Sequence, residues 1–272
     1  MAMPDPLQFV IAGDSHIFAM GAAQDFLGPP ELVRLEPPDD NGYFLMEEWR
    51  GLRSKAYWQK LGECTRARVA VLQVMGNQHF GNFLLARPQL FDVVEAGDSR
   101  GEVFPSAQLV PRRRVKDLPL FRGDRVREIV NDLHASGCVQ VIVCGTPPVR
   151  DDYTDQAEAV RTSDFFQARA RELGIDISTC RFTPAPIMKR LWGVLQECLA
   201  DIAQATHSLF LAVPAQSING NGYLAEPFRG PLANFTHPNH AYGLSMLKEI
   251  ARAVRAVERD RLAGVSSHKP SL

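Results

Sequence analysis

Cysteine is scarce in this sequence and has no obvious pairing: five residues, Cys64, Cys138, Cys144, Cys180 and Cys198, with no C-x-x-C pair among them. An odd count without zinc-ligand spacing argues against a disulfide framework and a structural zinc module, and fits a reducing compartment. No stretch approaches ~18 uninterrupted apolar residues, so the sequence offers no transmembrane helix. The start, Met-Ala-Met-Pro-Asp-Pro, lacks both the basic region and the apolar run of a signal peptide, and a cytoplasmic location is expected. An excess of charge of either sign is missing too. Lys+Arg 30 against Asp+Glu 31 leaves a formal net charge of -1, so no global field recruits nucleic acid or an anionic membrane. The one basic run, Arg112-Arg113-Arg114, reads as a solvated loop face.

Apolar content, by contrast, is ample for a large core: 45% of 272 residues. No linker-like stretch interrupts the chain before its polar end. One domain over residues 1–263 is therefore expected, with an insertion at about 80–119 and a frayed tail at 264–272. Five short apolar runs, Leu7 to Ala12, Glu31 to Leu35, Val69 to Val74, Val139 to Cys144 and Leu209 to Val213, mostly lack polar alternation, as strands covered on both faces do. Helical spacing fills the intervals over Met46 to Cys64, Asp124 to His134, Asp155 to Leu173, Pro184 to Ala205 and His240 to Leu262. The alternation predicts an α/β fold, a three-layer α/β/α sandwich around a central, mostly parallel five-stranded sheet of flavodoxin-like type. Ligands in such sheets sit beyond the carboxyl ends of the strands. Phe80 to Pro119 breaks the rhythm and reads as an inserted loop or hairpin, with Phe91 to Glu95 and Glu102 to Val110 as its arms.

Three polar clusters fall at the places where that rim would be. Gly13-Asp14-Ser15-His16 follows the first strand, Gly76-Asn77-Gln78-His79 follows the third, and Asn234-Phe235-Thr236-His237-Pro238-Asn239-His240 precedes the last helix. A serine or aspartate at a strand-to-helix turn often serves only as a helix cap. Pro238, however, stands where a helix can begin, which puts His237 on a loop and not on an apolar helical face. A serine on the first loop and a histidine on the last can meet across the rim. A serine nucleophile needs that meeting, because its hydroxyl is inert at neutral pH until a base within hydrogen-bond reach takes the proton. His16, His79, His237 and His240 lack metal-ligand spacing and an acid partner, so no metal and no other cofactor is expected.

Gly13-Asp14-Ser15, Gly76-Asn77 and a histidine followed by Pro238-Asn239 and Tyr242-Gly243 resemble, in that order, the blocks of the SGNH (GDSL-type) hydrolases over roughly Leu7 to Arg252. Gly76-Asn77-Gln78-His79 further resembles a bacterial branch with a Gly-Asn-x-His third block. The resemblance implies Ser15 as nucleophile and His237 as general base. It assigns the oxyanion hole to the Ser15 N–H, the Asn77 amide and a glycine N–H after the second strand, for which Gly42 is the candidate. Asp14, His16 and His79 are the substrate-contact candidates. The chain departs from the family pattern three residues before His237, where Asn234 stands in place of the usual aspartate. An amide oxygen can accept the imidazole Nδ1–H bond but brings no charge.

The activity implied is hydrolysis of oxygen esters through an acyl-serine, with short acyl groups such as acetyl on a carbohydrate as the substrate class. Acyl transfer to a sugar and a catalytically impaired binding protein stay open beside it. No nucleic-acid or membrane partner is expected, and nothing in the sequence indicates an oligomeric state. A nucleotide-binding module is disfavoured, since Gly13 to Phe18 contains neither G-x-G-x-x-G nor a P-loop. The α/β-hydrolase elbow G-x-S-x-G fails because Ile17 takes the second glycine's place.

Overall fold

The computed structural model describes residues 7–35, 41–50, 53–75, 84–85, 90–94, 104–152, 157–230 and 236–266. Strands that are apolar on both sides must be covered on both sides, and β1 (Phe9–Gly13) is buried along its whole length. It lies inside a six-stranded sheet with β2 (Glu31–Arg34), β3 (Gly42–Met46), β4 (Val69–Gln73), β7 (Gln140–Cys144) and β8 (Leu209–Leu211). The spatial order is β2-β3-β1-β4-β7-β8. All neighbours run parallel except the exposed edge strand β2, which is antiparallel to β3. The fold is mixed α/β with a mostly parallel central sheet.

Alternate side chains of the central strands feed two cores. Val10, Ala12, Ala70, Leu72, Val141 and Val143 pack with Leu61, Val130, Leu133 and Leu199. Those partners come from α1 (Lys55–Cys64), α4 (Asp124–Ala135) and α7 (Ala185–Ala205). Phe9, Ile11, Val69, Val71, Ile142 and Cys144 pack on the other face with Tyr242, Met246, Ile250 and Val254 of α8 (His240–Ser266). Burying each Val, Leu or Ile contributes about 1.5–3 kcal/mol, so the two layers are what hold the sheet's rim in place.

Several expectations are corrected. The sheet has six strands because Gly42–Met46 is a strand, whereas the sequence placed a helix start at Met46. That helix begins only at Lys55, where Ser54 caps it by accepting the Tyr57 N–H at 3.0 Å. The insertion is not a hairpin: β5 (Phe91–Val94) and β6 (Gln108–Pro111) pair in parallel. Asp92, buried in β5, ties it to α7 by accepting from Arg190 Nε and Nη2, each at 2.6 Å. Arg112 opens the short helix α2 (Arg112–Lys116), and its Nε donates to Glu197 of α7 at 2.9 Å, so the basic run is helical and not a loop, with Arg113 and Arg114 exposed to solvent as expected. α3 (Pro119–Arg122) links it to α4. The single helix expected over Asp155 to Leu173 is interrupted at Ser163, giving α5 (Ala157–Thr162) and α6 (Asp164–Leu173). α8 continues through residues 264–266, expected as frayed tail. Among the described residues, no helix is long and apolar enough to cross a membrane.

Candidate active site

At the carboxyl end of β1 the chain leaves the sheet through Gly13. A Cβ there would collide with the Gln73 carbonyl oxygen of β4, so glycine alone lets the two strands stay in register to this point. Asp14 N–H then donates to that same carbonyl at 3.0 Å, and Ser15 starts a 3-10 helix, Ser15–Met20, closed by Ile17 N–H on Asp14 O at 3.1 Å. The Asp14 side chain makes no capping hydrogen bond to this turn. The Ser15 hydroxyl is not spent on capping either: Oγ lies 2.7 Å from His237 Nε2, across 222 residues of sequence.

His237 reaches that place because its loop is tied down on three sides. Asn239 Oδ1 accepts Tyr242 N–H at 3.2 Å at the start of α8, while its Nδ2 donates to the carbonyls of Pro227 at 2.8 Å and Arg229 at 3.1 Å. Arg229 forms a β-bridge with Pro238, and its guanidinium pairs with Asp151 at 2.7 Å and Asp152 at 3.1 Å. Asp152 is also held by the buried Arg150, whose Nη1 donates to Gly230 O at 2.9 Å. Burial works to raise the Asp152 carboxyl, but the Arg150 hydrogen bonds and the two guanidinium charges outweigh it and hold it below its usual range. This strap was not read from the sequence; its only trace is Arg150-Asp151-Asp152 just past β7.

The third tie is a close approach. A Cβ on Gly243 would strike the Ala19 carbonyl, so α8 lies directly against the 3-10 turn that carries Ser15. Gly243→Ala should therefore push the two apart, lowering unfolding free energy by about 1–3 kcal/mol in urea titration and weakening the Ser15–His237 contact. A variant as stable as the wild type would show that this approach is not tight.

Burial pushes the His237 pKa down from 6.5 to about 4. Its Nδ1 lies 3.2 Å from Thr236 Oγ1. The His16 ring packs on it with centroids 4.9 Å apart and a 38° tilt. His16 is 3% exposed and packs against the imidazole. His240 Nδ1 donates to Ala19 O at 3.2 Å, and among the described residues no group of three or more His, Cys, Asp or Glu side chains is placed to hold a metal.

Gly42 is also corrected. It pairs with Phe9 at the amino end of the sheet, four residues or about 13 Å from Gly13, and a Cβ on it would strike Phe9 and Leu35 side chains. It is a packing glycine at a strand start and cannot serve an oxyanion near Ser15. Asn77, His79 and Asn234 lie outside the described residues.

No protein-family model matches the chain, and no curated protein matches it by sequence. Among solved structures it is similar to a Bacteroides fragilis protein assigned as an acylhydrolase, at 12% identity and a TM-score of 0.48, covering 93% of this chain and 89% of that one. It is also similar to a catalytic mutant of an acetylxylan esterase from Geobacillus stearothermophilus, at 11% identity and a TM-score of 0.43, covering 93% and 96%.

A cavity of about 510 Å³ opens beside Asp14, lined by Arg53, Val74, Met75, Leu120 and Gly123 among others. It lies at the carboxyl ends of β1 and β4, the side of the sheet on which Ser15 emerges. Neither this cavity nor a larger one of about 620 Å³ between α1 and α4 is lined by Ser15 or His237.

Proposed function

We propose that this protein is a serine esterase that cleaves oxygen esters through an acyl-enzyme on Ser15. The observation that carries this reading is the 2.7 Å contact between Ser15 Oγ and His237 Nε2. With a pKa near 4 the imidazole is neutral at physiological pH and can accept a proton. In the reaction Oγ attacks the ester carbonyl as Nε2 takes the hydroxyl proton. The tetrahedral intermediate collapses, the proton passes from Nε2 to the departing alkoxide, and the alcohol leaves. Water, deprotonated by His237, then attacks the acyl-serine, and the returned proton restores Ser15 as the acid departs.

The developing oxyanion is assigned in this reading to the Ser15 N–H and the Asn77 amide; each such donor is worth about 10²–10³ in rate. Short acyl groups, acetyl foremost, on a carbohydrate alcohol are the proposed substrates, with the cavity beside Asp14 available to seat part of the ester. The second reading, a binding protein that kept the cleft, rests on Asn234.

A fluorophosphonate probe separates the two. Labelling of the wild type and none of Ser15→Ala is expected, with turnover on a panel of acetylated sugars and short p-nitrophenyl esters. A wild type that resists the probe and turns over no ester would leave the binding protein as the answer.

A further inference from the structure

The ladder between β1 and β3 stops one step short of the site, and two side chains from the entry to α1 take over. Phe9 N–H donates to Asn41 O, and the register pairs Phe9 with Gly42, Val10 with Tyr43 and Ile11 with Phe44. In a parallel ladder every second residue exchanges bonds with the same neighbour. Continued in this register, Gly13 N–H would donate to Leu45 O, and Gly13 O would accept from Glu47 N–H. Neither of these bonds forms; the Tyr57 hydroxyl stands in the first place, accepting Gly13 N–H at 3.0 Å and donating to Leu45 O at 3.0 Å. Arg53 stands in the second, donating from Nε to Gly13 O at 2.9 Å and from Nη1 to Glu47 O at 3.1 Å.

Both groups suit a permanent insert. Tyr57 is fully buried, which pushes its pKa up to about 12 and keeps the hydroxyl proton that Leu45 O requires. The Arg53 guanidinium lies over two rings, 4.8 Å from the Trp49 centroid and 4.6 Å from that of Tyr57. Among the described residues its Nη2 is buried without a hydrogen-bond partner. That is a cost in stability an aliphatic side chain would avoid, so the guanidinium is explained by what its other two nitrogens hold.

We propose that Tyr57 and Arg53 are positioning residues that wedge the exits of β1 and β3 apart by one inserted layer of polar groups, and so fix the Ser15 turn against His237. The proposal rests on the esterase reading of Ser15. The wedge acts through Gly13, whose two backbone groups it grips two residues before the nucleophile. It also opens the sheet at the end where a parallel sheet places its ligand crevice.

Tyr57→Phe tests it, since the ring that Arg53 stacks on remains and only the hydroxyl goes. In its crystal structure the ladder should zip by one step, with Gly13 N–H bonding Leu45 O directly and Ser15 Oγ drawn out of hydrogen-bond reach of His237 Nε2. A displacement of that order should lower kcat on p-nitrophenyl acetate, counted per folded molecule from the circular dichroism of the same sample, by about 10²-fold, with KM changed by less than about threefold; a loss that disappears on that normalisation would reflect destabilisation alone and overturn the wedge. Arg53→Lys keeps the charge, cannot span both carbonyls, and should act in the same sense if Tyr57→Phe folds poorly. Unchanged strand spacing with wild-type kcat in Tyr57→Phe would overturn the wedge. Wild-type activity in Ser15→Ala would instead overturn the esterase reading, while the strand spacing in Tyr57→Phe would still decide the wedge.

Discussion

His237→Ala is expected to lower kcat for a short p-nitrophenyl ester by about 10⁴–10⁶ while leaving KM within a few-fold. The size follows from the chemistry of the hydroxyl: without Nε2 at 2.7 Å, no other side chain hydrogen-bonded to Ser15 Oγ among the described residues takes its proton as the bond to carbon forms. In the proposed mechanism the imidazole acts twice, on the hydroxyl and then on water, so its loss should slow both acylation and deacylation. If Ser15 and His237 act as the unit proposed, the double variant Ser15→Ala/His237→Ala should be no slower than either single one. Substrate contacts made elsewhere in the crevice are untouched, which is why KM should hold. The fold should hold too, because the loop is fastened by Asn239, Arg229 and Arg150 and not by the imidazole. Retention of more than about a tenth of the wild-type kcat in a folded His237→Ala protein would remove the imidazole from the mechanism.

The parts of this arrangement that were legible in the sequence are those written in local pattern. β1, β4 and β7 are apolar on both faces, and that double burial shows as uninterrupted runs such as Val69 to Gln73's leading residues. The two ends of the Ser15–His237 pair were legible because each adjoins a strongly patterned element, β1 on one side and α8 on the other. β3 was not legible, for two reasons. It follows Asp39-Asp40-Asn41-Gly42, a strong turn signal, and Asn41 does turn, at φ 50. Its apolar run, Tyr43 to Met46, is also only four residues long, and Met46 adjoins the helical spacing read over Met46 to Cys64, so the run is not set apart as a strand. Missing β3 moves the sheet's rim: Gly42 reads as the glycine after the second apolar run, Glu31 to Leu35, whereas it begins the next strand. The wedge at Gly13 was beyond reach for a related reason. Tyr57 and Arg53 matter only through the β1–β3 register, and register is a property of two strands brought together, not of either sequence alone.

The acid side of the pH profile is where burial of the base should be visible. An imidazole with a pKa near 4 stays neutral, and so competent as a base, far into acid. At pH 5 roughly 90% of it would be unprotonated, against roughly 3% for a histidine of ordinary pKa. kcat/KM reports the free enzyme, so its acid limb should fall near pH 4, and an enzyme losing activity through pH 6.5 would show that His237 is not buried as described. The low pKa has a counterpart in rate, because a weak base takes the serine proton with little driving force. Asn234→Asp, three residues before His237, is the change that should trade one for the other. An opposite charge within reach of an imidazole raises its pKa by about 1–3 units, because the carboxylate stabilises the imidazolium that forms in the transition state. The variant should thus gain up to about tenfold in kcat at pH 8 and lose relative activity at pH 4.5, its acid limb having moved upward through the assay range. Both changes must appear together, since one stabilised imidazolium produces both. A variant with a faster plateau and an unmoved limb, or the reverse, would mean that position 234 does not act through His237.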